Sequence, residues 1–224
     1  FSKRTDWRDE DFSRSVPYFP LVGLVIGFLL AAINYSLFYI ETPLFLRVTL
    51  LLLAEIIITG GLMYDGFMDT ADGVFSARSR ERMLEIMKDS HVGSNAVLAI
   101  IILLLLKIAA YLELSGETLT WVLLTMSVAT RTFMVVFIVN FPYARKEGIG
   151  HMFTKYAKPF YTYIAFAVCA GIIAACGLQY LAVAGICFTV TLIIAQYLKT
   201  QLGGLTGDTY GACLLYTSPS PRDY

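Results

Sequence analysis

Long stretches without a charged residue dominate this sequence and restrict what it can fold into. Four of them, residues 16–40, 92–106, 118–130 and 159–198, contain no Asp, Glu, Lys or Arg. Overall 57% of the residues are hydrophobic and 15% are charged, which is too apolar for an ordinary soluble domain. A bilayer core about 30 Å thick needs about 20 apolar helical residues per crossing. The sequence therefore predicts an all-α, polytopic protein embedded in a lipid bilayer.

The distribution of basic residues predicts the orientation of this helical bundle. We place about six transmembrane helices, at residues 17–40, 43–63, 94–112, 118–140, 160–176 and 180–198. Basic residues collect in the amino-terminal segment and in the loops after the second and fourth spans, whereas the short connections contain none. By the positive-inside rule, both termini and both long loops are cytoplasmic. We therefore expect a multi-pass protein of the cytoplasmic (inner) membrane.

Charge balance and the last residues set two further expectations. The chain has 17 basic and 17 acidic residues, which argues against a nucleic-acid partner because such domains usually carry a basic excess. Homo-oligomer formation is left open. Residues 213–224 resemble a translated sequencing adapter and are expected to be an artefact. We expect residues 1–212 to form one membrane-embedded domain, truncated at its carboxyl end.

Three aspartates follow the second predicted span at intervals of four and three residues. They are Asp65, Asp69 and Asp72, and a helix would bring all three onto one face because it turns about 100° per residue. Hard oxygen ligands without a Cys or His cluster favour Mg²⁺ or Mn²⁺ over zinc. A solvated acidic face is the simpler alternative. The apolar residues between the acids favour a metal site for a phosphate-bearing substrate.

A segment rich in both charges continues from residue 78 to residue 93. Its apolar residues fit an amphipathic helix on the membrane surface, in which the arginines would form a solvated face. The functional alternative is that Arg82 and Lys88 bind phosphate groups while Asp89 acts as a metal ligand or base. For the arginines, the pattern itself leaves both interpretations open.

Ionisable residues also occur inside the predicted spans. Arg131 lies in the fourth span, where an ionised side chain costs at least a few kcal/mol unless it reaches water or a partner. It could bind a phosphate or form a structural ion pair, for which Glu55 is the candidate partner. Lys107 lies near the far end of the third span and is expected to extend to the membrane surface.

These motifs resemble the cobalamin synthase family, the adenosylcobinamide-GDP ribazoletransferases. The resemblance rests on Asp65-Gly-x-x-Asp69-Thr-Ala-Asp72-Gly73 and, after it, on Leu84-Glu85-Ile-Met-Lys88-Asp89-Ser90-x-x-Gly93. It is supported by Pro142-Tyr-Ala-Arg145 and by Gly203-Gly204-Leu-Thr206-Gly207-Asp208, and it covers nearly everything up to Ala212. The family often has His where this chain has Met63.

The resemblance implies a reaction on the cytoplasmic side of the membrane. The adenosylcobinamide-phosphate group would pass from adenosylcobinamide-GDP to a ribose hydroxyl of α-ribazole or its 5′-phosphate, releasing GMP and forming adenosylcobalamin or its 5′-phosphate. Mg²⁺ would be held by Asp65, Asp69, Asp72 and Asp208. The implied substrate-binding residues are Lys88, Arg82, Arg131, Arg145 and Ser90. Asp89 is the leading candidate for general base, Asp72 and Asp208 are the alternatives, and Lys88 completes the predicted catalytic set.

Two other functions fit parts of the pattern. A CDP-alcohol lipid phosphotransferase also arranges Asp and Gly at a membrane surface, but its Asp-Gly-x-x-Ala-Arg order differs from Ala71-Asp72-Gly73. A cation-coupled transporter would use Glu55, Arg131 and the aspartates as an ion path. That function leaves the concentration of acids and bases on one side of the membrane unexplained.

Overall fold

The computed structural model describes residues 13–114, 116–145 and 149–217, and within these the regular elements are helical. This confirms the predicted all-α fold. In this described part of the chain, a 3₁₀ turn, Val16–Tyr18, precedes ten α-helices. They are α1 (Phe19–Tyr39), α2 (Leu44–Thr59), α3 (Leu62–Phe75), α4 (Arg80–Ile86), α5 (Ser94–Glu113), α6 (Gly116–Asn140), α7 (Ile149–Lys155), α8 (Phe160–Cys176), α9 (Leu178–Leu202) and α10 (Gly207–Thr217).

Among the described residues, four helical segments are long and apolar enough to cross a bilayer. They are Ser13–Tyr39, which includes α1, and the helices α5, α6 and α9. The helices α2 and α3 meet the same criterion only as a pair, bent by 90°, while α8 is a shorter apolar helix. The described residues therefore contain four spans, or five if the bent pair counts as one. The number of about six and the cytoplasmic location of both termini stay predictions.

Two glycines produce the bend between α2 and α3. The second predicted span was expected to continue to residue 63, but α2 ends at Thr59. Gly60 and Gly61 have φ values of 66° and 70°, a left-handed conformation that residues with a β-carbon rarely adopt. The Gly61 amide donates to the Ile56 carbonyl at 2.9 Å and closes the last turn of α2. The chain then leaves in a new direction, so the aspartates of α3 do not continue the axis of α2.

Helix α6 forms the centre of the bundle. Of its most apolar 18-residue window, 78% is buried, against 33% or less for the other three long segments. Helix α1 packs along α6 through Gly23 and Gly27. A β-carbon on Gly27 would lie 2.8 Å from the Leu124 α-carbon, and one on Gly23 would lie 2.9 Å from that of Val128. Small residues four apart let two membrane helices approach backbone to backbone.

A buried ion pair joins α2, α3 and α5. Lys107 is 0% exposed, and its Nζ donates to both carboxylate oxygens of Glu55, at 2.7 and 2.8 Å, and to the Tyr64 hydroxyl at 3.3 Å. The expectation that Lys107 extends to the membrane surface is therefore wrong. Glu55 is the ion-pair partner of Lys107 and not, as predicted, of Arg131. The physical reason is that a buried ammonium must be paired and hydrogen-bonded to be tolerated.

Candidate active site on helices α3 and α10

The three predicted aspartates lie on one helix, as their spacing requires. Helix α3 runs from Leu62 to Phe75 and contains Asp65, Asp69 and Asp72. Along this face Asp65 is exposed, Asp69 is half-buried and Asp72 is only 9% exposed. The acidic face thus runs from the surface into the packed interior.

Asp72 has a structural contact that sequence reasoning missed. Its carboxylate accepts hydrogen bonds from the backbone amides of Gly93 (2.5 Å) and Ala96 (2.8 Å). These amides belong to the N-cap and first turn of α5, where a carboxylate is favoured by unpaired N–H groups and by the helix dipole. A β-carbon on Gly93 would lie 2.5 Å from an Asp72 oxygen. In the structure, the contact between Asp72 and Gly93 therefore attaches the start of α5 to α3. The metal-binding and catalytic roles of Asp72 stay predictions.

Helix α10 brings the fourth acid against α3. Gly66 packs directly on α10, because a β-carbon at that position would lie 2.7 Å from the Asp208 carbonyl oxygen and 2.9 Å from its α-carbon. The negative charges of Asp208, Asp65 and Asp72 all act on Asp69. Asp69 therefore lies within electrostatic range of the other three acids predicted to share a metal. Among the described residues, no three His, Cys, Asp or Glu side chains already form a metal-binding group.

Two short loops fix the position of α10. Helix α9 ends at Leu202 and is capped by Gly203, whose φ is 72°. Leu205 then pairs with the loop that follows α6. The Leu205 amide donates to the Pro142 carbonyl and the Ala144 amide donates to the Leu205 carbonyl, both at 2.8 Å. At the start of α10 the Thr206 amide donates to the Thr209 hydroxyl oxygen at 2.7 Å, and the Thr209 amide donates to the Thr206 hydroxyl oxygen at 3.2 Å. This pairing brings residues 145 and 208 next to each other.

Arg145 forms an ion pair with Asp208 inside this cluster. The Nη2–Oδ2 distance is 2.8 Å, and Arg145 also donates to the Met87 carbonyl at 3.5 Å. Burial raises the pKa of Asp208, although the Arg145 guanidinium acts in the opposite direction. Arg145 therefore connects α10 to the segment that begins with Lys88.

Tyr143 is a site residue that the sequence analysis quoted only within a motif. Burial raises its pKa, while a backbone hydrogen bond from Gly207 and the charge of Arg145 lower it. Its hydroxyl therefore lies at the first turn of α10, beside Asp208. The only signal in the sequence was its place between Pro142 and Arg145.

The segment after α4 carries three predicted site residues, and all three are exposed. They are Lys88, Asp89 and Ser90. The Asp89 carboxylate lies 2.6 Å from Nδ1 of His91 and accepts a hydrogen bond from the His91 amide at 3.1 Å. These contacts lower the pKa of Asp89 and raise that of His91. Asp89 therefore stays ionised, and its role as general base stays a prediction.

Helix α4 has the amphipathic character expected of it. Met83 and Met87 are buried, and the side chain of Met87 fills the space beside Gly73. Arg82 lies on the opposite, exposed face, where its Nη1 is 2.8 Å from Glu85. The solvated-face interpretation thus describes this arginine in the structure, and its predicted substrate-binding role stays a prediction.

Arg131 lies in a groove next to this cluster. The groove has a volume of about 390 Å³. Helices α1, α2, α3, α6 and α10 supply its walls, which are formed by Phe19, Val22, Ile26, Ile58, Thr59, Leu62, Met63, Arg131, Met134, Gly207 and Gly211. Arg131 is only 8% exposed, and its Nη1 donates to the Thr130 hydroxyl at 3.3 Å. The first turn of α10 separates this groove from the acids.

Comparisons with known proteins agree on one family. A family model described as cobalamin-5-phosphate synthase matches residues 2–218. The chain is 40% identical over 213 residues to the adenosylcobinamide-GDP ribazoletransferase of Desulforamulus reducens, covering 95% of this chain and 84% of the relative. Identity to the same-named protein of Clostridium novyi is 37% over 211 residues, covering 92% and 83% of the two chains. For Fusobacterium nucleatum it is 32% over 245 residues, covering 96% and 88%. No solved structure matches the chain.

Proposed function

The chain belongs to the cobalamin-5-phosphate synthase family, and from this membership we propose that it transfers the adenosylcobinamide-phosphate group from adenosylcobinamide-GDP to α-ribazole or its 5′-phosphate. Relatives that share 32–40% of their residues with it carry the name of this transferase. The products are GMP and adenosylcobalamin or its 5′-phosphate. The apolar helices favour a bilayer location for this step of cobalamin synthesis. We propose the cytoplasmic side of the inner membrane because the positive-inside rule predicts that the basic loops next to the acids are cytoplasmic.

One observation carries the proposal for the site. Asp208 on α10 forms an ion pair with Arg145, and the charges of both residues act on Asp69, which lies on α3, a helix distant in sequence. Gly66 allows this arrangement because its lack of a side chain lets the α10 backbone approach α3. Such a concentration of acids is unfavourable unless cations join it, and the bond to be broken belongs to an anionic diphosphate. A site that binds a cation together with a diphosphate substrate accounts for both the concentration of acids and the negative charge of the substrate.

We propose Mg²⁺ as the cofactor, held by Asp65, Asp69 and Asp208. These residues offer only oxygen ligands, and Mg²⁺ sites commonly use one or two carboxylates together with substrate phosphates and water. Asp72 fits less well, because both of its oxygens already accept backbone hydrogen bonds. When bound, Mg²⁺ neutralises charge on the diphosphate and on the departing GMP.

The remaining side chains bind and orient the reactants. Arg145, next to Asp208, donates to nonbridging oxygens of the diphosphate, and Lys88 adds a second positive charge from the neighbouring loop. A ribose hydroxyl of the acceptor attacks the phosphorus that carries adenosylcobinamide, and the bond from this phosphorus to the GMP oxygen breaks. The hydroxyl proton passes to Asp89, which its ion pair with His91 keeps ionised.

The test is release of GMP by membranes that contain the full-length protein, given adenosylcobinamide-GDP and α-ribazole. We expect GMP and a new cobalamin to appear with Mg²⁺ and to disappear when the metal is chelated. Replacing Asp69→Asn should reduce turnover at least about 100-fold, as expected for removal of an electrostatic contact made to the transition state. Membrane insertion should be unchanged, because Asp69 is only half-buried.

A matched control is Glu113→Gln. Glu113 is an exposed acid at the last residue of α5, the end opposite to Gly93, and lies roughly 30 Å from Gly93 at about 1.5 Å per residue. Its replacement should leave turnover unchanged. Full activity of the Asp69→Asn protein would remove the metal site from the proposal. Absence of any product from inserted wild-type protein would instead favour lipid phosphotransfer or transport.

A further inference from the structure

The groove beside the acidic cluster contains a buried cation, the Arg131 guanidinium, that forms no ion pair with a carboxylate of the described residues. Within the described part of the chain, the Arg131 guanidinium makes one hydrogen bond, to the Thr130 hydroxyl at 3.3 Å, and no ion pair. A guanidinium offers five N–H donors. Only 8% of the Arg131 surface is exposed. At about 1.5 Å per residue, Arg131 lies roughly 13 Å along α6 from the end of that helix at Asn140. A charge at this depth is unfavourable unless an anion joins it.

Apart from Arg131, the groove is largely apolar. Its volume of about 390 Å³ lies within the range of about 300–1,000 Å³ that is typical of small-ligand sites. Val22 and Leu62 on its rim are 50% and 75% exposed, so the groove opens at the perimeter of the bundle. The chemistry of its occupant follows from these walls: an apolar body of moderate size that carries one anionic group.

The groove also borders the helix that carries Asp208. Gly207 and Gly211 form one of its walls, and Gly207 immediately precedes Asp208. An occupant with its anion on Arg131 therefore extends toward the cluster that we propose to be catalytic. The corrinoid donor is too large for this volume, whereas an aromatic base attached to a ribose phosphate is of suitable size and polarity.

We propose that this groove binds the acceptor and that Arg131 binds its 5′-phosphate, which makes Arg131 the residue that selects the phosphorylated acceptor over α-ribazole. The inference rests on the proposed function. The apolar base lies against the walls from α1 and α3, the phosphate pairs with the buried guanidinium, and the ribose lies toward Asp208. In this arrangement the phosphate pairs directly with Arg131, whereas Glu55, which lines a small neighbouring cavity together with Arg131, already accepts from Lys107 through both carboxylate oxygens.

The test compares two acceptors in the full-length protein reconstituted in phosphatidylcholine vesicles. Initial rates of GMP release are measured with α-ribazole and with α-ribazole 5′-phosphate, at saturating adenosylcobinamide-GDP. For Arg131→Gln we expect the KM for the phosphorylated acceptor to rise about 10- to 100-fold, the loss of charge-assisted hydrogen bonds. The KM for α-ribazole should change less than about 3-fold, since that acceptor has no phosphate.

Two further variants keep the comparison interpretable. Arg131→Lys retains the charge without the planar fork and should give an intermediate KM ratio, so it tests the inference if the glutamine protein does not insert. Arg47→Gln is the matched control. Arg47 is a buried arginine, 7% exposed, on the first turn of α2 with its guanidinium 5.3 Å from the Phe38 ring. This control should leave the KM ratio unchanged.

The outcomes separate the inference from the proposed function. Equal changes for both acceptors in both Arg131 variants would overturn the role of Arg131 in selection while transfer itself stands. If, in addition, anionic lipid stabilises the wild-type protein but not the variants, the groove binds a phospholipid and the inference is wrong. If wild-type protein releases no GMP with either acceptor, the proposed function fails together with it.

Discussion

The buried ion pair between Lys107 and Glu55 leads to a specific prediction about what stabilises the position of α3 and its aspartates. All three N–H donors of the Lys107 ammonium are used, by the two Glu55 oxygens at 2.7 and 2.8 Å and by the Tyr64 hydroxyl at 3.3 Å. The Tyr111 hydroxyl adds a bond to Glu55 at 3.4 Å. Because Tyr64 immediately precedes Asp65 on α3, the pair also positions the acidic face.

Replacing one partner should be far more damaging than replacing both. Lys107→Met leaves a buried carboxylate without its counter-charge, and we expect it to lower the free energy of unfolding by about 3–5 kcal/mol. The double variant Lys107→Met with Glu55→Gln removes both charges and keeps similar volumes. It should lie within about 1 kcal/mol of the wild type or be more stable, because the cost of burying two ions is also removed.

The structure provides the assay. Cys169 and Cys187 are buried and form no disulfide, so the temperature at which a thiol-reactive dye labels them reports loss of packing in detergent. The single variants should be labelled at clearly lower temperature than the wild type, and the double variant at nearly the wild-type temperature. If the double variant loses as much as the two single variants combined, the two side chains act independently and the ion-pair argument is refuted.

Two further predictions concern the helix contact and the exposed ion pair. Gly66→Ala should lower the free energy of unfolding by about 1–3 kcal/mol and reduce GMP release, because the new methyl group would meet the Asp208 backbone. The control is Gly171→Ala, whose new methyl group would have no neighbouring atom within 4 Å. This variant should be neutral or stabilising in the same thermal assay. Asp89→Asn should lower the pKa of His91, measured by NMR titration, because the Asp89 carboxylate raises it. The ion pair needs protonated His91, so it is complete at low pH, down to the lowered pKa of Asp89, and is lost as pH rises through the raised pKa of His91. An unchanged pKa in the asparagine protein would mean that the pair does not form.

The class of the protein and the position of its acidic motif follow from sequence because both depend on local properties. Hydropathy sums over neighbouring residues, so charge-free runs identify membrane helices without knowledge of their partners. The same holds for the face that Asp65, Asp69 and Asp72 share, which requires only that the segment be helical, as α3 is. The family resemblance, likewise carried by short motifs, agrees with the match over residues 2–218.

Tertiary structure decided what each of these residues contacts. Lys107 pairs with Glu55, Asp72 caps the helix that begins after Gly93, and Arg145 pairs with Asp208. In each case the partners lie many residues apart, and no periodicity in the sequence encodes which helices become neighbours. The sequence places charged residues within apolar helices, and the cost of burying a charge means that each of them needs a partner. The packing of the helices selects that partner, because the separation of two side chains depends on how the backbone between them bends and packs.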